Sequence, residues 1–355
     1  MKVLIVGSYN VWSIEKIYFK HLTELGVEVE IFAAQNYFTE KYNCSILSKI
    51  AFKLGVVDYY KQINQQLIEL VSKGNFDFIW IFKGMEIYPQ TLQRIKKYNV
   101  HLVNYNPDNP FIFSGKGSGN RNVTDSIDLY DFYFTYNLEV KKEIEGRLQK
   151  PVYWLPFGFE VSEAEYQNSL KAKEVLKVCF VGNPDENRVQ LIKAIAAAGF
   201  EVDVYGHGWH KVLQGKNITC FDAVYLPQVY SILRKYRVQL NPLRPHNKLS
   251  HGMRTFEVPS VGGIMLTEDT PEHRIFFEEG KDIFLYTDIN SCISQIEMLL
   301  NLNKNIAYDI RLEARKKSLS QGYDYKSRSI SVKKIFEKHC VFDLKEGTST
   351  LKSIL

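Results

Sequence analysis

Three side chains that could bind a charged ligand follow one another at three-residue intervals in the C-terminal half of the chain. They are His251, Arg254 and Glu257, within the segment HNKLSHGMRTFEVPSVGG at 246–263. On a helix this spacing places all three on neighbouring positions of one side. A guanidinium offers a planar fork of donors to a diphosphate, and a carboxylate can accept both hydroxyls of a ribose. The pattern predicts a nucleotide site, although an Arg–Glu surface pair has the same spacing.

The elements that must position these residues follow an α/β pattern. Apolar runs that end in glycine occur at 3–7 and 178–182, and each is followed by apolar residues at helical spacing and by a second apolar run. Such strand–helix–strand units belong to parallel sheets. Ligands of open parallel sheets bind beyond the carboxyl ends of the strands. We therefore predict two doubly wound halves in tandem, joined by a polar linker at 160–174.

Composition limits the class of protein. A length of 355 residues suits two domains, and 45% apolar and 24% charged residues are ordinary for a globular chain. The net charge of +5 is too small to indicate nucleic acid, but it is compatible with anionic ligands or an anionic membrane surface. Five scattered cysteines argue against a disulfide framework and a structural zinc site. Since no apolar run is long enough to span a bilayer, we expect a cytoplasmic protein that could associate with the inner face of the membrane.

Two common nucleotide-binding motifs are absent from the sequence. The residues GSYN at 7–10 lack the spacing of the dinucleotide fingerprint, and no carboxylate follows the second predicted strand at 33–35. A Walker-type phosphate loop is also absent, so we exclude nicotinamide-dependent dehydrogenases and P-loop NTPases and expect no bound cofactor. His207 and His210 have no carboxylate or cysteine at ligand spacing, and no metal site is predicted.

Several short motifs occur in order through residues 178–330. They are Phe180-Val181-Gly182-Asn183, Val204-Tyr205-Gly206 with Gly208-Trp209, Leu240-Asn241-Pro242, Arg254-Thr255-Phe256-Glu257, Gly262-Gly263, Leu266-Thr267-Glu268, Phe277 with Gly280-Lys281-Asp282, and Tyr286. Together they resemble the signature of CgeB-like glycosyltransferases, which are GT-B enzymes related to glycosyltransferase group 1. The N-terminal half matches more weakly, through Asn-Pro-Asp-Asn-Pro at 106–110 and Leu-Pro-Phe-Gly at 155–158.

The resemblance implies a GT-B fold, in which two Rossmann-like, doubly wound parallel-sheet domains face one another across a cleft. Residues 1–160 would form the acceptor domain, and residues 174–321 would form the domain that binds a nucleotide-sugar donor. A helix at about 322–340 would cross back to the first domain, and a loose tail would follow at 341–355.

The resemblance also implies roles for individual residues of the donor domain. Glu257 would hold the ribose of the donor, and Arg254 would neutralise the diphosphate as it leaves. The backbone at Gly182 and Asn183 and the side chain of Arg188 would help to cradle the phosphates.

One position departs from the pattern of group 1. Those enzymes typically carry another glutamate eight positions before the one that corresponds to Glu257, where this chain has Leu249. His251 or Lys248 could occupy that space. The pair Gly262-Gly263, which permits close approach to the backbone, completes the predicted donor site.

Asp108 is the candidate catalytic residue of the N-terminal half. It follows the predicted strand at 101–105 and stands between Pro107 and Pro110, a rigid frame that could aim its carboxylate as a general base at an acceptor hydroxyl. A turn aspartate that caps its own backbone explains the same sequence. The glycine-rich segment 114–121 is either a lid or anion-binding nest, or an ordinary surface loop.

We therefore expect a glycosyltransferase that moves a sugar from a nucleotide-diphosphate donor to a hydroxyl of a glycan, lipid-linked or protein acceptor. The resemblance places it in bacterial surface glycan or glycoconjugate assembly, and the wider family implies retention at the anomeric carbon without a bound metal. Because the first glutamate is absent, a non-catalytic nucleotide-sugar sensor or scaffold is an alternative. A sugar-nucleotide epimerase of the same fold is another, and the oligomeric state is left open.

Overall fold

Strands form where the sequence has apolar runs, because a strand covered on both faces is apolar at every position. All five residues of Phe78–Phe82 are buried, and so are the last four of Val175–Val181. These strands belong to a computed structural model that describes residues 1–112, 118–247 and 249–352. Contacts divide the chain into unit 1, Met1–Pro156 with Tyr325–Leu355, and unit 2, Phe157–Asp324.

Unit 1 contains a six-stranded sheet in which all neighbours are parallel. Its strands are β1 (Lys2–Val6), β2 (Glu28–Phe32), β3 (Phe78–Phe82), β4 (His101–Asn106), β5 (Phe132–Thr135) and β6 (Val152–Trp154). The order across the sheet is β2-β1-β3-β4-β5-β6. The order therefore reverses between β1 and β3, and such a switch point opens a crevice at the carboxyl ends of the strands.

Helices connect these strands and cover the sheet. They are α1 (Ile14–Glu24), α2 (Ala34–Asn43), α3 (Ile46–Lys53), α4 (Tyr59–Gly74), α5 (Pro89–Ile95), α6 (Arg121–Asp125) and α7 (Leu138–Leu148), with single 3₁₀ turns at Lys96–Tyr98 and Ile127–Leu129. The segment α2–α3 was not predicted, since its apolar residues do not follow the spacing of a buried helix.

Unit 2 repeats the design with a second parallel sheet of six strands. Its strands are β7 (Val175–Val181), β8 (Val202–Tyr205), β9 (Ile218–Phe221), β10 (Tyr236–Asn241), β11 (Met265–Glu268) and β12 (Phe284–Tyr286). They lie in the order β12-β11-β10-β7-β8-β9, which is the strand order of the dinucleotide-binding Rossmann fold. The switch point lies between β7 and β10.

The helices of unit 2 connect the strands and flank this sheet. They are α8 (Glu163–Ser169), α9 (Glu186–Ala197), α10 (Gln228–Lys235), α11 (Arg254–Ser260), α12 (Pro271–Phe276), α13 (Ile289–Leu300) and α14 (Lys304–Ser320), with 3₁₀ turns at Trp209–Lys211 and Pro245–Asn247. The two predicted doubly wound halves are thus confirmed as parallel α/β sheets with flanking helices.

The last helix, α15 (Tyr325–Lys352), packs on unit 1. The ring of Phe336 stacks on that of Phe78 with centroids 4.5 Å apart, and Tyr325 meets Tyr18 edge-on at 5.6 Å. The helix continues past residue 340, where we predicted a loose tail, and residues 353–355 lie outside the described part of the chain. Among the described helices, none combines the length and the hydropathy of a transmembrane span.

The segment 160–174, predicted as a linker, contains α8 and belongs to unit 2. Ser162 and Glu165 form a capping box that begins this helix. The guanidinium of Arg315 lies 3.3 Å from the centroid of the Tyr166 ring and donates to Glu163 at 3.0 Å. Polar and aromatic contacts therefore hold a segment whose sequence has no apolar residues at helical spacing.

Candidate functional site

The carboxyl ends of β7 and β10 lie side by side in unit 2, at its switch point. The loop after β7 begins at Gly182 and the loop after β10 begins at Pro242. Phe180 pairs with Leu240, so the two loops leave the sheet at neighbouring positions. This is the edge at which open parallel sheets bind ligands.

Arg188 of α9 ties these two loops together. Its guanidinium donates to the carbonyl oxygen of Pro242 through Nε and Nη2, at 3.2 and 2.9 Å, and to that of Asn183 through Nη1, at 3.1 Å. It also pairs with Asp185 at 3.2 Å. Burial lowers the pKa of Arg188, which is a cost of holding a charge in this position. The guanidinium thus fixes the shape of both loops and places a positive charge at the switch point.

Gly182 and Asn183 are held in turn by the loop after β8. The carbonyl oxygen of Gly182 accepts from Trp209 Nε1 at 2.7 Å, and Asn183 Oδ1 accepts the backbone N–H of His207 at 3.0 Å. A Cβ at residue Gly206 would lie 2.2 Å from the Gly182 oxygen, so only glycine permits this approach. The structure therefore brings Gly182, Asn183 and Arg188 together at the carboxyl edge.

The predicted pair Arg254 and Glu257 lies on α11, which follows the loop after β10. Arg254 Nη1 donates to Glu257 Oε2, so the two side chains form an ion pair. Arg254 is 30% exposed and Glu257 only 12%, which distinguishes them from a solvated surface pair. Arg254 Nε is buried and has no hydrogen-bond partner among the described residues. The pair thus retains a donor that a ligand could use.

His251 does not lie on α11, and the prediction that it shares a helix face with Arg254 and Glu257 is wrong. The helix begins at Arg254, and the imidazole is fully buried. His251 Nε2 accepts the backbone N–H of Phe157 at 3.3 Å, so Nδ1 carries the proton and donates to Glu272 at 2.5 Å. Both ring nitrogens are therefore bound inside unit 2.

Gly262 and Gly263 lie at the amino end of β11, the opposite edge of the sheet from the carboxyl-end loops. A Cβ on Gly262, whose φ is +70°, would lie 2.5 Å from Arg234 Nη1 and 3.0 Å from the Arg311 oxygen. A Cβ on Gly263 would lie 2.6 Å from the carbonyl oxygen of Leu233. The close approach that we predicted for a ligand is made by α10 and α14 instead, which corrects the interpretation of these glycines.

Glu268, the last residue of β11, is a site candidate to which the sequence analysis assigned no role. Its Oε2 accepts the backbone N–H of Leu243, in the loop after β10, at 2.7 Å. Burial raises the pKa of Glu268 to about 7, because its hydrogen bonds and the charge of Arg188 offset only part of the desolvation. An acidic residue that closes an apolar strand beside the other candidates is the signal that could have revealed it.

Asp108 lies at the carboxyl edge of the unit 1 sheet, two residues beyond β4. Its Oδ2 pairs with Lys83 Nζ at 2.5 Å, and both side chains are largely shielded. Asn106 Oδ1 accepts the backbone N–H of Asp108 at 3.0 Å, which stabilises the turn. Lys83 directly follows β3 with a φ of +60°, a left-handed conformation that is uncommon for a residue with a Cβ. Two adjacent strands thus bring a carboxylate and an ammonium together.

Two further carboxyl groups lie near this edge. Glu15 of α1 accepts the backbone N–H of Ser8 at 2.9 Å, in the loop after β1, and burial raises its pKa. Glu86 lies in the loop after β3, and burial raises its pKa to about 7. The charge of Lys83 opposes both shifts, so this ammonium is the common counter-charge of Glu15, Glu86 and Asp108.

Some expectations fall outside the described residues, namely those for Lys248 and for 114–117 of the glycine-rich segment. His207 Nε2 lies 2.7 Å from the hydroxyl of Tyr225. Among the residues that the structure describes, no group of three or more His, Cys, Asp or Glu side chains is arranged to hold a metal ion.

Family comparison matches residues 188–334 to the model of a family described as Glycosyl transferase-like. The matched residues include Arg188, α11 and Glu268, and extend into α15. They make up less than half of the chain, and no functionally curated protein matches it.

Solved structures match nearly the whole chain. Sucrose-phosphate synthase from Thermosynechococcus elongatus has a TM-score of 0.71 over 96% of this chain and 99% of that chain, at 10% identity. HepE from Anabaena, in complex with UDP-glucose, has a TM-score of 0.64 over 95% and 100%, at 12% identity. A Listeria monocytogenes protein assigned as a UDP-N-acetylglucosamine 2-epimerase has a TM-score of 0.56 over 95% and 96%, at 11% identity.

The two six-stranded parallel sheets and these matches establish the GT-B fold and confirm the predicted fold class. At such low identity the solved structures establish the fold alone. The resemblance is confirmed at the level of a glycosyltransferase-like family over 188–334, and the narrower CgeB-like group stays a prediction.

Proposed function

We propose that this protein is a glycosyltransferase whose unit 2 binds a nucleotide-diphosphate sugar and whose unit 1 binds a hydroxyl acceptor. The observation that carries the proposal is the shielded Arg254–Glu257 pair of α11, inside the segment that matches the glycosyltransferase-like family. The structure of HepE with UDP-glucose supports a donor of this chemical class.

Binding of the donor would replace the contact between Arg254 and Glu257. The diphosphate takes the guanidinium, whose Nε has no partner among the described residues, and the ribose hydroxyls donate to the carboxylate. One ion pair is thus exchanged for two sets of charge-assisted hydrogen bonds. As the sugar leaves, the guanidinium neutralises the growing charge on the diphosphate and stabilises the transition state.

The other residues of unit 2 act through the positions of these two. Arg188 holds Asn183 and Pro242 and contributes positive charge at the switch point. His251 packs edge-on against the ring of Phe256 in α11, with centroids 5.3 Å apart, and this contact helps to position the helix. We assign His251 a positioning role in place of a direct contact with the ligand.

In unit 1, the carboxylate of Asp108 would accept the proton of the acceptor hydroxyl. The ammonium of Lys83 would offset the negative charge of this carboxylate and of its neighbouring carboxyl groups. The acceptor class, a bacterial surface glycan or glycoconjugate, comes from the resemblance. Retention at the anomeric carbon and independence of metal belong to the same proposal. The anomeric configuration of the product and the activity in the presence of a chelator test these two parts.

A thermal-shift screen against nucleoside diphosphates and their sugar derivatives tests donor binding. We expect one nucleotide series to stabilise the wild-type protein, and Arg254→Ala and Glu257→Ala each to reduce the shift strongly while the unliganded melting temperature stays close to that of the wild type. The matched control is Glu313→Ala with Lys316→Ala, an exposed pair with the same three-residue spacing on α14, which should keep the full shift.

Product analysis separates the proposed reaction from the alternatives. A labelled donor should give a glycosylated acceptor. Conversion of the donor into an isomer without any acceptor would identify an epimerase, and tight binding without turnover across a range of acceptors would identify a sensor. Normal donor binding by both α11 variants would contradict the assigned site.

A further inference from the structure

A short segment of unit 1 exposes an unusual number of apolar side chains. Six of them, each between 38% and 77% exposed, fall within 46–57; we call this set the apolar stripe. Its members are Ile46, Leu47, Ile50, Leu54, Val56 and Val57. Single exposed apolar residues are common on protein surfaces, but six of them within twelve residues indicate an interaction site.

The stripe is presented by α3 and the turn that follows it. Ile46, Ile50 and Leu54 stand at four-residue intervals, so they lie on one side of the helix. Phe52 lies on another side and contacts an aromatic group from α2 and α4, with centroids 5.2 Å from Phe38 and 5.6 Å from Tyr59. This aromatic anchor fixes the orientation of α3, and the apolar side faces outward as part of the folded unit.

Charge near the stripe is mainly positive. Residues 40–57 contain three lysines and one acidic residue, the exposed Glu40, whereas the whole chain has nearly equal numbers of basic and acidic residues. Lys49 and Lys53 lie within α3 itself, and Lys41 ends α2. The nearest acidic residue that follows is Asp58, whose carboxylate is engaged as the N-cap of α4 and by the hydroxyl of Tyr88. The surface is therefore apolar at its centre and basic at its rim.

We propose that the apolar stripe docks unit 1 onto an anionic lipid bilayer. The apolar side chains would enter the boundary between headgroups and acyl chains, while the lysines meet lipid phosphates, as in helices that lie in the membrane interface. A second copy of this chain fits less well, because a two-fold contact through the stripe would bring its lysines close to those of the partner. The inference is independent of the proposed function.

Co-sedimentation of the full-length protein with vesicles tests the proposal. Vesicles of phosphatidylcholine with one-third phosphatidylglycerol should retain the protein, and pure phosphatidylcholine should bind it at least about tenfold more weakly. High salt should weaken the anionic binding, because the lysine contribution is screened.

Three variants locate the surface. Leu47→Ser with Ile50→Ser should weaken vesicle binding at least about tenfold, through lost apolar burial. Lys49→Gln with Lys53→Gln should weaken it about 25-fold, since each lysine near an anionic surface contributes about fivefold. The control Leu312→Ser with Leu319→Ser changes two other exposed leucines, on α14 in unit 2, and should bind as the wild type does.

Melting temperatures close to that of the wild type would show that the stripe variants are folded, as expected for exposed positions. Unchanged vesicle binding by the stripe variants would overturn the proposal, and so would equal binding to neutral and anionic vesicles. Light scattering supplies a further test, since a wild-type dimer that the stripe variant converts to a monomer would assign the surface to a second copy.

Discussion

The loops that follow the first strands of the two sheets are held by side chains of different kinds, an acidic one in unit 1 and a basic one in unit 2. In unit 1 the carboxylate of Glu15 accepts the Ser8 N–H at 2.9 Å, and a Cβ at Gly7 would lie 2.7 Å from its oxygen. This loop is closed around a carboxyl group of the protein itself. In unit 2 the guanidinium of Arg188 lies at the switch point and is bonded to both adjacent loops, through Asn183 and Pro242.

This contrast matters because the loop after the first strand is where Rossmann-like sheets commonly accept a phosphate. A carboxyl group occupies that region in unit 1 and accepts the backbone N–H of Ser8, which is therefore not free to bind a phosphate. In unit 2 the corresponding loop is held by the guanidinium of Arg188. Two sheets of nearly the same design thus differ in the side chain that holds the loop after the first strand, and this difference supports the proposal that a diphosphate binds to unit 2.

The largest expected difference between the units concerns their buried pairs. Glu272→Ala should destabilise unit 2 by about 2–5 kcal/mol, because it removes the acceptor of two buried donors, the His251 Nδ1–H and the Ser250 hydroxyl. Asp108→Ala should cost unit 1 only about 1 kcal/mol, since Glu15 and Glu86 remain as counter-charges of Lys83. Urea denaturation combined with hydrogen exchange resolves the two units. A greater loss from Asp108→Ala would reverse the comparison.

Arg188→Met should destabilise unit 2 by about 2 kcal/mol and weaken donor binding, because the carbonyl oxygens of Asn183 and Pro242 lose a charged donor. Arg188→Lys should recover only part of both losses, since an ammonium cannot bridge the two loops as a planar fork does. Denaturation and donor titration measure the two effects. Glu15→Gln in unit 1 is the matched change and should leave donor affinity unaltered; equal effects of both changes on binding would contradict the assignment.

The smallest effect is a pH dependence shared by both units. Burial raises the pKa of Glu268 and of Glu86 to about 7, so the folded state holds protons that the unfolded state has released. Stability should therefore fall as pH rises from about 4.5 to about 7. Glu268→Gln and Glu86→Gln should each remove about 1–2 kcal/mol of this fall, seen as a gain over wild type at pH 8 and none near pH 4.5.

A donor sharpens the same test, because the phosphates of a sugar nucleotide are diesters and do not titrate near neutrality. Ionisation of Glu268 at the carboxyl edge should weaken donor binding a few-fold above pH 7. Glu268→Gln should abolish that dependence, and Glu86→Gln should preserve it. Loss of the pH dependence in the Glu86 variant would indicate that the donor binds to the sheet of unit 1 and would contradict the proposed site.

The parts of the fold that could be predicted from sequence are those that are built from uninterrupted apolar runs. β3 and β7 are buried at successive positions, and burial of that kind is visible in residue type alone. The helix α8 was missed because its contacts are a capping box and a cation–π pair with Arg315. Neither contact requires apolar residues at helical spacing. Edge strand β9 was missed because it is only half-buried.

The site was predictable only as far as its residues are close in sequence. Arg254 and Glu257 pair within one helical turn, so their spacing sufficed. The partner of His251 is Glu272, 21 positions away, and the spacing that suggested a shared helix face carried no information about that contact. Glu268 acquires its raised pKa from burial, which only the folded unit creates, and the hydrogen bond from the Leu243 N–H opposes this shift.

The most direct measurement is a double-mutant cycle between Glu257 and the ribose. Isothermal titration would compare a nucleoside diphosphate with its 2′,3′-dideoxy analogue on the wild-type protein and on Glu257→Ala. We predict that removal of the hydroxyls weakens binding to the wild type at least about tenfold, as expected for hydrogen bonds to a charged group, and causes no further loss in the variant. Equal losses in the two proteins would show that this carboxylate does not hold the ribose.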